Sequence, residues 1–232
     1  MNSRQYEIEV SGIKVNVTRK RIKNIHLSVN PPDGAVRVSS PLSVSQEALR
    51  QLLISRLDWI KKHVRRMESL PSREPQKYIS GESHFVQGQR YLLNVVERDA
   101  APEVVLRNRH MNLYVRPGSD RNKREEIVRE WYRDLLKEQI PEMIARWEPK
   151  LGVKVKDWGV KRMKTKWGSC NTRAHRIWLN LELAKKPKHC LEYVVLHEIV
   201  HLRERLHNAR FYAFLDELMP GWKSVQDELN GR

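Results

Sequence analysis

His197 and His201 stand four residues apart in the run from Tyr193 to Asn208. At about 100° per residue, that spacing sets two imidazoles on one face of a helix, one turn apart. Two imidazoles so placed can share one metal ion, and Zn2+ is the ordinary choice for neutral nitrogen ligands. Glu198 adjoins the first histidine, where a carboxylate stands near the metal without ligating it, the place of a general base. Leu191, Val194, Val195, Ile199 and Val200 supply the apolar face that buries such a helix. Burial matters because a dry, fixed site lets a metal acidify water.

The third ligand needs a break in the chain. His207 lies six residues beyond His201, and on an unbroken helix it would be turned about 240° away. The helix is therefore expected to stop between them. Asn208 is a good N-cap for a following segment whose stripe is Phe211, Phe214, Leu215 and Leu218. A stop, a reversal and a restart there bring His207 back toward the pair. Three histidines with one open position make a catalytic zinc site, whereas structural sites are closed by four protein ligands. Asp216 and Glu217 are the competing third ligands, and His207 is preferred.

Around this segment the chain reads as strands followed by helices, three times over. Tyr6–Val10, Ile13–Val17, Ile25–Val29 and Val36–Val38 alternate as strands, with a turn cluster at Asn30–Gly34. Ser43 with Gln46 suggests a capping box for a helix reaching about Met67, and Leu70–Pro75 reads as a linker. Phe85-Val86, Tyr91–Val96, Val104–Leu106 and Leu113–Val115 alternate again, and Pro117–Asp120 introduces a second helix over about 121–147. Val153–Trp158 and Ile177–Leu181 are further strands, and Pro187 opens the histidine-bearing helix. The pattern predicts an α+β chain, divided near residue 120 into an amino-terminal strand-and-helix region (1–120) and a carboxy-terminal catalytic domain (121–232). The first region is expected to bind substrate or a partner.

No apolar run approaches the roughly 18 residues of a membrane span, and the first residues lack the apolar core of a secretory signal. Two cysteines, Cys170 and Cys190, are too few for a disulfide scaffold. A soluble, cytoplasmic protein is expected. The 44 Lys and Arg outnumber the 28 Asp and Glu, giving a net charge of +16, a field that draws polyanions. Lys61–Arg66 and the run from Lys154 to Lys166 concentrate it, with Trp158 and Trp167 nearby to stack on bases.

Three stretches carry a family resemblance: Met163–Cys170, with its Trp167-Gly168-Ser169-Cys170 block; Tyr193–Tyr212; and Met219-Pro220-Gly221-Trp222. Together they resemble the YgjP-like metallopeptidases, a bacterial zincin family related to SprT-like and WLM peptidases. The resemblance implies a zincin-like catalytic domain, a small sheet plus the HExxH helix, holding one Zn2+ per chain. It implies His197, His201 and His207 as ligands and Glu198 as the catalytic acid/base, acting on peptide or protein substrates. Zincins present an edge strand to the peptide, which makes Trp167, Gly168 and Ser169 substrate-positioning candidates, with Tyr212 beside them. Leu206 stands where the family commonly has asparagine, and Lys166 where it has arginine. The residues alone read the tryptophan block as a strand with a packed ring, a close-approach glycine and a small buried cysteine. Tyr212, His175, Arg203 and Arg205 are candidate oxyanion donors by type. The competing reading is a basic nucleic-acid-binding protein with a structural zinc, or a DNA-associated peptidase by analogy; Glu198 favours the enzyme, since a structural site has no use for an uncoordinated carboxylate.

Overall fold

The computed structural model describes residues 5–30, 34–69 and 76–231. The turn expected over Pro31–Asp33 and the linker Leu70–Pro75 lie outside them. The chain is α+β and splits into two compact units, Met1–Gln76 and Lys77–Arg232.

In the first unit, β1 (Gln5–Val10) and β2 (Ile13–Lys20) form a hairpin. Its two turn residues, Ser11 and Gly12, have φ of 49° and 78°, the pair of positive φ values that matches the twist of the flanking strands. β3 (His26–Asn30) and β4 (Ala35–Pro41) are antiparallel, and β4 runs parallel to β2, giving the order β1-β2-β4-β3. Alternation sends Ile8, Val10, Val15, Val17, Val36 and Val38 to one face. There they meet Leu49 and Leu53 of α1 (Gln46–Ser55) and Ile60 of α2 (Leu57–Ser69). The cap of α1 is Ser45, whose hydroxyl accepts from the Ala48 amide at 3.1 Å, and not the expected Ser43. A turn closed by the Val44 amide on the Pro41 carbonyl occupies the preceding residues and delays the helix.

The second unit opens with the same design. β5 (Ser83–Val86) and β6 (Gln89–Glu97) form a hairpin, β7 (Glu103–Arg107) and β8 (His110–Val115) form another, and β8 runs parallel to β6, in the order β5-β6-β8-β7. A fold-level repeat is thus present where the residues show none. α3 (Arg121–Leu151) follows, capped by Asp120 and ended by Gly152 in the left-handed region. A three-stranded sheet in the order β10-β11-β9 comes next, from β9 (Asp157–Lys161), β10 (Gly168–Asn171) and β11 (Arg176–Asn180). β9 starts later than the expected Val153. The buried Glu148 carboxylate accepts from the Val155 amide at 2.7 Å and from Lys154 Nζ at 2.6 Å, holding that stretch to the end of α3. A 3-10 turn (Leu181–Lys185) leads to α4 (Lys188–Arg203), α5 (Ala209–Leu218) and α6 (Trp222–Asn230).

The division does not fall near residue 120. Val86, Leu93, Met111 and Leu113 of the second four-stranded sheet share one core with α3, α4 and α5. The β5–β6 turn also binds the approach to α4: the Gln87 and Gly88 amides donate to the Ala184 and Lys185 carbonyls at 2.9 and 3.1 Å. A Cβ on Gly88 would lie 2.7 Å from the Pro187 ring. Residues 77–115 therefore fold with the histidine-bearing helix.

Asn180 fixes the route into β10. Its buried amide donates to the Met163 and Lys166 carbonyls at 3.0 and 2.7 Å, and its oxygen accepts from the Met163 and Glu182 amides. Asn180→Ala strands these groups and is expected to lower stability by about 2–3 kcal/mol, with faster tryptic cleavage at Lys164 and Lys166. A thermal melt with limited proteolysis checks this; an unchanged melt and digestion pattern would refute it.

Candidate active site

α4 carries Tyr193, His197 and His201 at four-residue intervals on one face, while Leu196, Ile199 and Val200 are buried on the others. The helix ends at Arg203, between His201 and His207 as the spacing requires. The Asn208 side chain accepts from the Phe211 amide at 3.1 Å and starts α5. The return brings His207 Nε2 to 3.0 Å from His197 Nε2. The three imidazole centroids lie 4.7–5.0 Å apart. Phe211, fully buried, sits beneath all three at 4.6–4.9 Å and serves as their common floor.

The donor set fits a zinc ion. Each histidine offers one nitrogen, and the three nitrogens lie within 4.8 Å of one another. Two Zn–N bonds of about 2.0–2.1 Å at a tetrahedral angle hold their nitrogens about 3.3 Å apart, near the separation seen for His197 and His207. His201 Nδ1 faces the Glu204 carbonyl at 3.3 Å, which fixes the tautomer and leaves Nε2 for the metal. Burial, with the neighbouring imidazoles, pushes His197 down to about 3, and burial also lowers His201. Both are then neutral at physiological pH, the form that ligates. His197 Nδ1 is buried without a hydrogen-bond partner among the described residues.

Glu198 is 5% exposed, and burial pushes its carboxyl up to about 8, opposed by the Lys166 ammonium. Its wall is Gly168 at the start of β10: a Cβ there would lie 2.5 Å from Glu198 Oε1 and 2.7 Å from Cγ. β10 is an edge strand. The Asn180 amide donates to the Trp167 carbonyl, so by antiparallel alternation Ser169 and Asn171 bond inward to β11. The backbone groups of Gly168 and Cys170 consequently face outward. Trp167, Gly168, Ser169 and Cys170 all line a cleft of about 730 Å³ that also contains the three histidines and Glu198.

The other expected residues are distributed unevenly. Tyr212 is outside the cleft lining; its ring lies 6.3 Å from that of His207 and stacks on Trp222. His175 and Arg203 are also outside it, and Arg205 alone of the four oxyanion candidates lines it. Asp216 accepts from the Trp222 indole at 2.8 Å, and neither it nor Glu217 joins the histidines. Cys170 is half-buried, and burial pushes its thiol up to about 11, so it stays protonated. Tyr193 was not singled out from sequence, though its place four residues before His197 marks it. It lines the cleft, accepts from Gln226 Nε2 at 2.9 Å, and burial pushes its hydroxyl up to about 12, which keeps it a donor.

Two outcomes follow from this packing. Gly168→Ala is expected to displace the Glu198 side chain and reduce any Glu198-dependent turnover at least about 10-fold, while zinc content, measured by elemental analysis, stays near the wild-type level. A rate within twofold of wild type would refute the contact. In the metal-free protein, Glu198 binds its proton more tightly when folded, so stability is lost as pH rises from its ordinary 4.5 to about 8. Glu198→Gln removes that loss: melting temperatures of the two chelated proteins should coincide near pH 4 and separate progressively up to about pH 8, the variant melting higher. A pH-independent gap would refute it.

Two solved structures bear a limited likeness to the chain. The metallopeptidase zymogen of Pyrococcus abyssi abylysin is 16% identical over 40% of this chain and 93% of its own, with a TM-score of 0.38. The metallopeptidase zymogen of Methanocaldococcus jannaschii jannalysin is 21% identical over 40% and 92%, with a TM-score of 0.35. No curated protein sequence matches. The model of the YgjP-like metallopeptidase domain matches residues 23–232, nearly the whole length. By that match the chain belongs to the YgjP-like metallopeptidases, hydrolases that cut peptide bonds with a metal, usually zinc.

Proposed function

We propose that this protein hydrolyses peptide bonds at the α4 site, with His197, His201 and His207 holding one Zn2+ and Glu198 moving the protons. The observation that supports this most is the convergence of three imidazoles and one buried carboxyl in a cleft bordered by an open strand edge. A zinc ion bound there supplies Lewis acidity toward the scissile carbonyl and acidifies water, and its charge favours the ionised form of Glu198. The Glu198 carboxylate takes a proton from the attacking water and delivers it to the leaving amine nitrogen. Gly168 and Cys170 offer outward backbone N–H and C=O groups on which an extended peptide can pair as an added strand. Such pairing would carry the scissile bond past Glu198, because Gly168 touches that side chain. The Tyr193 hydroxyl, protonated and lining the cleft, is placed to donate to the developing oxyanion.

The test separates metal from proton transfer. Glu198→Gln should keep about one zinc per chain and lose about 10²–10⁴-fold in turnover. His207→Ala should lose zinc or bind it far more weakly. Hydrolysis retained by Glu198→Gln would remove Glu198 from the mechanism. Full zinc in His207→Ala would remove His207 from the ligand set.

A further inference from the structure

The cleft is electrically one-sided. Among its described lining residues Glu198 is the sole carboxylate, while Lys166, Arg173 and Arg205 bring three exposed cations. None of the three joins an ion pair among the described residues. Some surface cations outside the cleft are paired: Arg146 bonds Glu142 and Glu192, Arg176 meets Asp157 at 2.5 Å, and Lys154 meets Glu148 at 2.6 Å. The described lining of the cleft therefore carries more positive than negative charge where a substrate would lie.

The placement is also directional. Lys166 and Arg173 flank β10 at its two ends, and the four strand residues between them span about 13 Å. Arg205 belongs to the α4–α5 connection that returns His207 to the site. We infer that the substrates are acidic peptides, with Asp or Glu side chains on both sides of the scissile bond, held by Lys166, Arg173 and Arg205. This rests on the peptidase reading above and adds the chemical class of what is cut. A peptide strand lying on β10 would run from one flanking cation toward the other, so carboxylates toward its two ends can meet both. Exposed pairs of this kind are screened by salt, and their effect belongs mostly to capture and selection. Nucleic acid also carries the required negative charge, but the outward amides of an edge strand complement a peptide backbone, which favours peptide.

The experiment uses the zinc-loaded full chain and a mixture of random-sequence peptides, with products sequenced by mass spectrometry. Acidic residues flanking the cut should exceed basic ones about 10-fold at low salt, and the ratio should fall toward one in 0.5 M salt. Arg173→Glu combined with Arg205→Glu should invert the ratio toward Lys and Arg; Arg173→Gln with Arg205→Gln, a milder pair, should bring it near one. As a readout without turnover, zinc-loaded Glu198→Gln should bind a labelled glutamate-rich peptide at least about 10-fold tighter than its lysine-rich counterpart, and lose that difference in the same Arg variants. Cleavage without acidic enrichment, or enrichment untouched by the Arg substitutions, overturns the inference and leaves the peptidase reading intact. Indifferent cleavage with an oligonucleotide bound by the wild type and released by the Arg variants also overturns it, assigning the cations to nucleic acid. Absence of any Glu198-dependent cleavage, with no selective peptide binding, overturns both.

Discussion

The contact between Gly168 and the Glu198 carboxyl is the constraint on which the rest of the site depends. It sets the separation of β10 from α4 to the thickness of a residue with no side chain. With any larger residue there, the strand edge and the carboxyl could not keep both positions. The same approach dries Glu198 and raises its proton affinity, and it leaves the outward amides of β10 beside the histidines. Asn180 holds the strand's entry in place, and Phe211 supports the three imidazoles from below. The proposed chemistry thus rests on one close approach and two supports.

The cationic rim gives a local meaning to an overall charge that is otherwise uninformative. A net charge of +16 is the excess of 44 cations over 28 carboxylates and is spread along the sequence. Lys166, Arg173 and Arg205 differ by lining a cleft in which Glu198 is the one carboxylate among the described residues. A field of this kind acts before contact, by raising the local concentration of oppositely charged partners.

The histidine helix was legible because helical period and ligand spacing speak through local sequence. His197, His201, the stop before His207 and the Asn208 cap all depend on neighbours within a few turns. The α+β character and most strands followed from alternation. What escaped depended on tertiary contact. Ser45 displaced Ser43 because a turn on Pro41 used the preceding residues. Glu148, in the last turn of α3, delayed β9 by capturing the Val155 amide. The boundary expected near residue 120 followed the last strand of a sheet, a position that composition marks as a break; only the shared core shows that this sheet packs with α4. Tyr212 and Tyr193 are both tyrosines near the motif, and only packing distinguishes the ring stacked on Trp222 outside the cleft from the one that lines it. The matching order of the two four-stranded sheets is invisible at residue level, since strand order is conserved by hydrogen-bond geometry and not by side-chain identity.

The grip of the β5–β6 turn on the residues ahead of α4 bears on how this catalytic unit can be inherited. Gln87 and Gly88 hold the 3-10 turn through backbone amides, and Gly88 fits against Pro187 with no room for a side chain. A gene segment beginning at residue 121 would encode every candidate ligand and the edge strand, yet not the hairpin that seats the helix carrying them. The transferable module is therefore Lys77–Arg232, and recombination that cut between its first sheet and α3 would pass on the motif without its foundation.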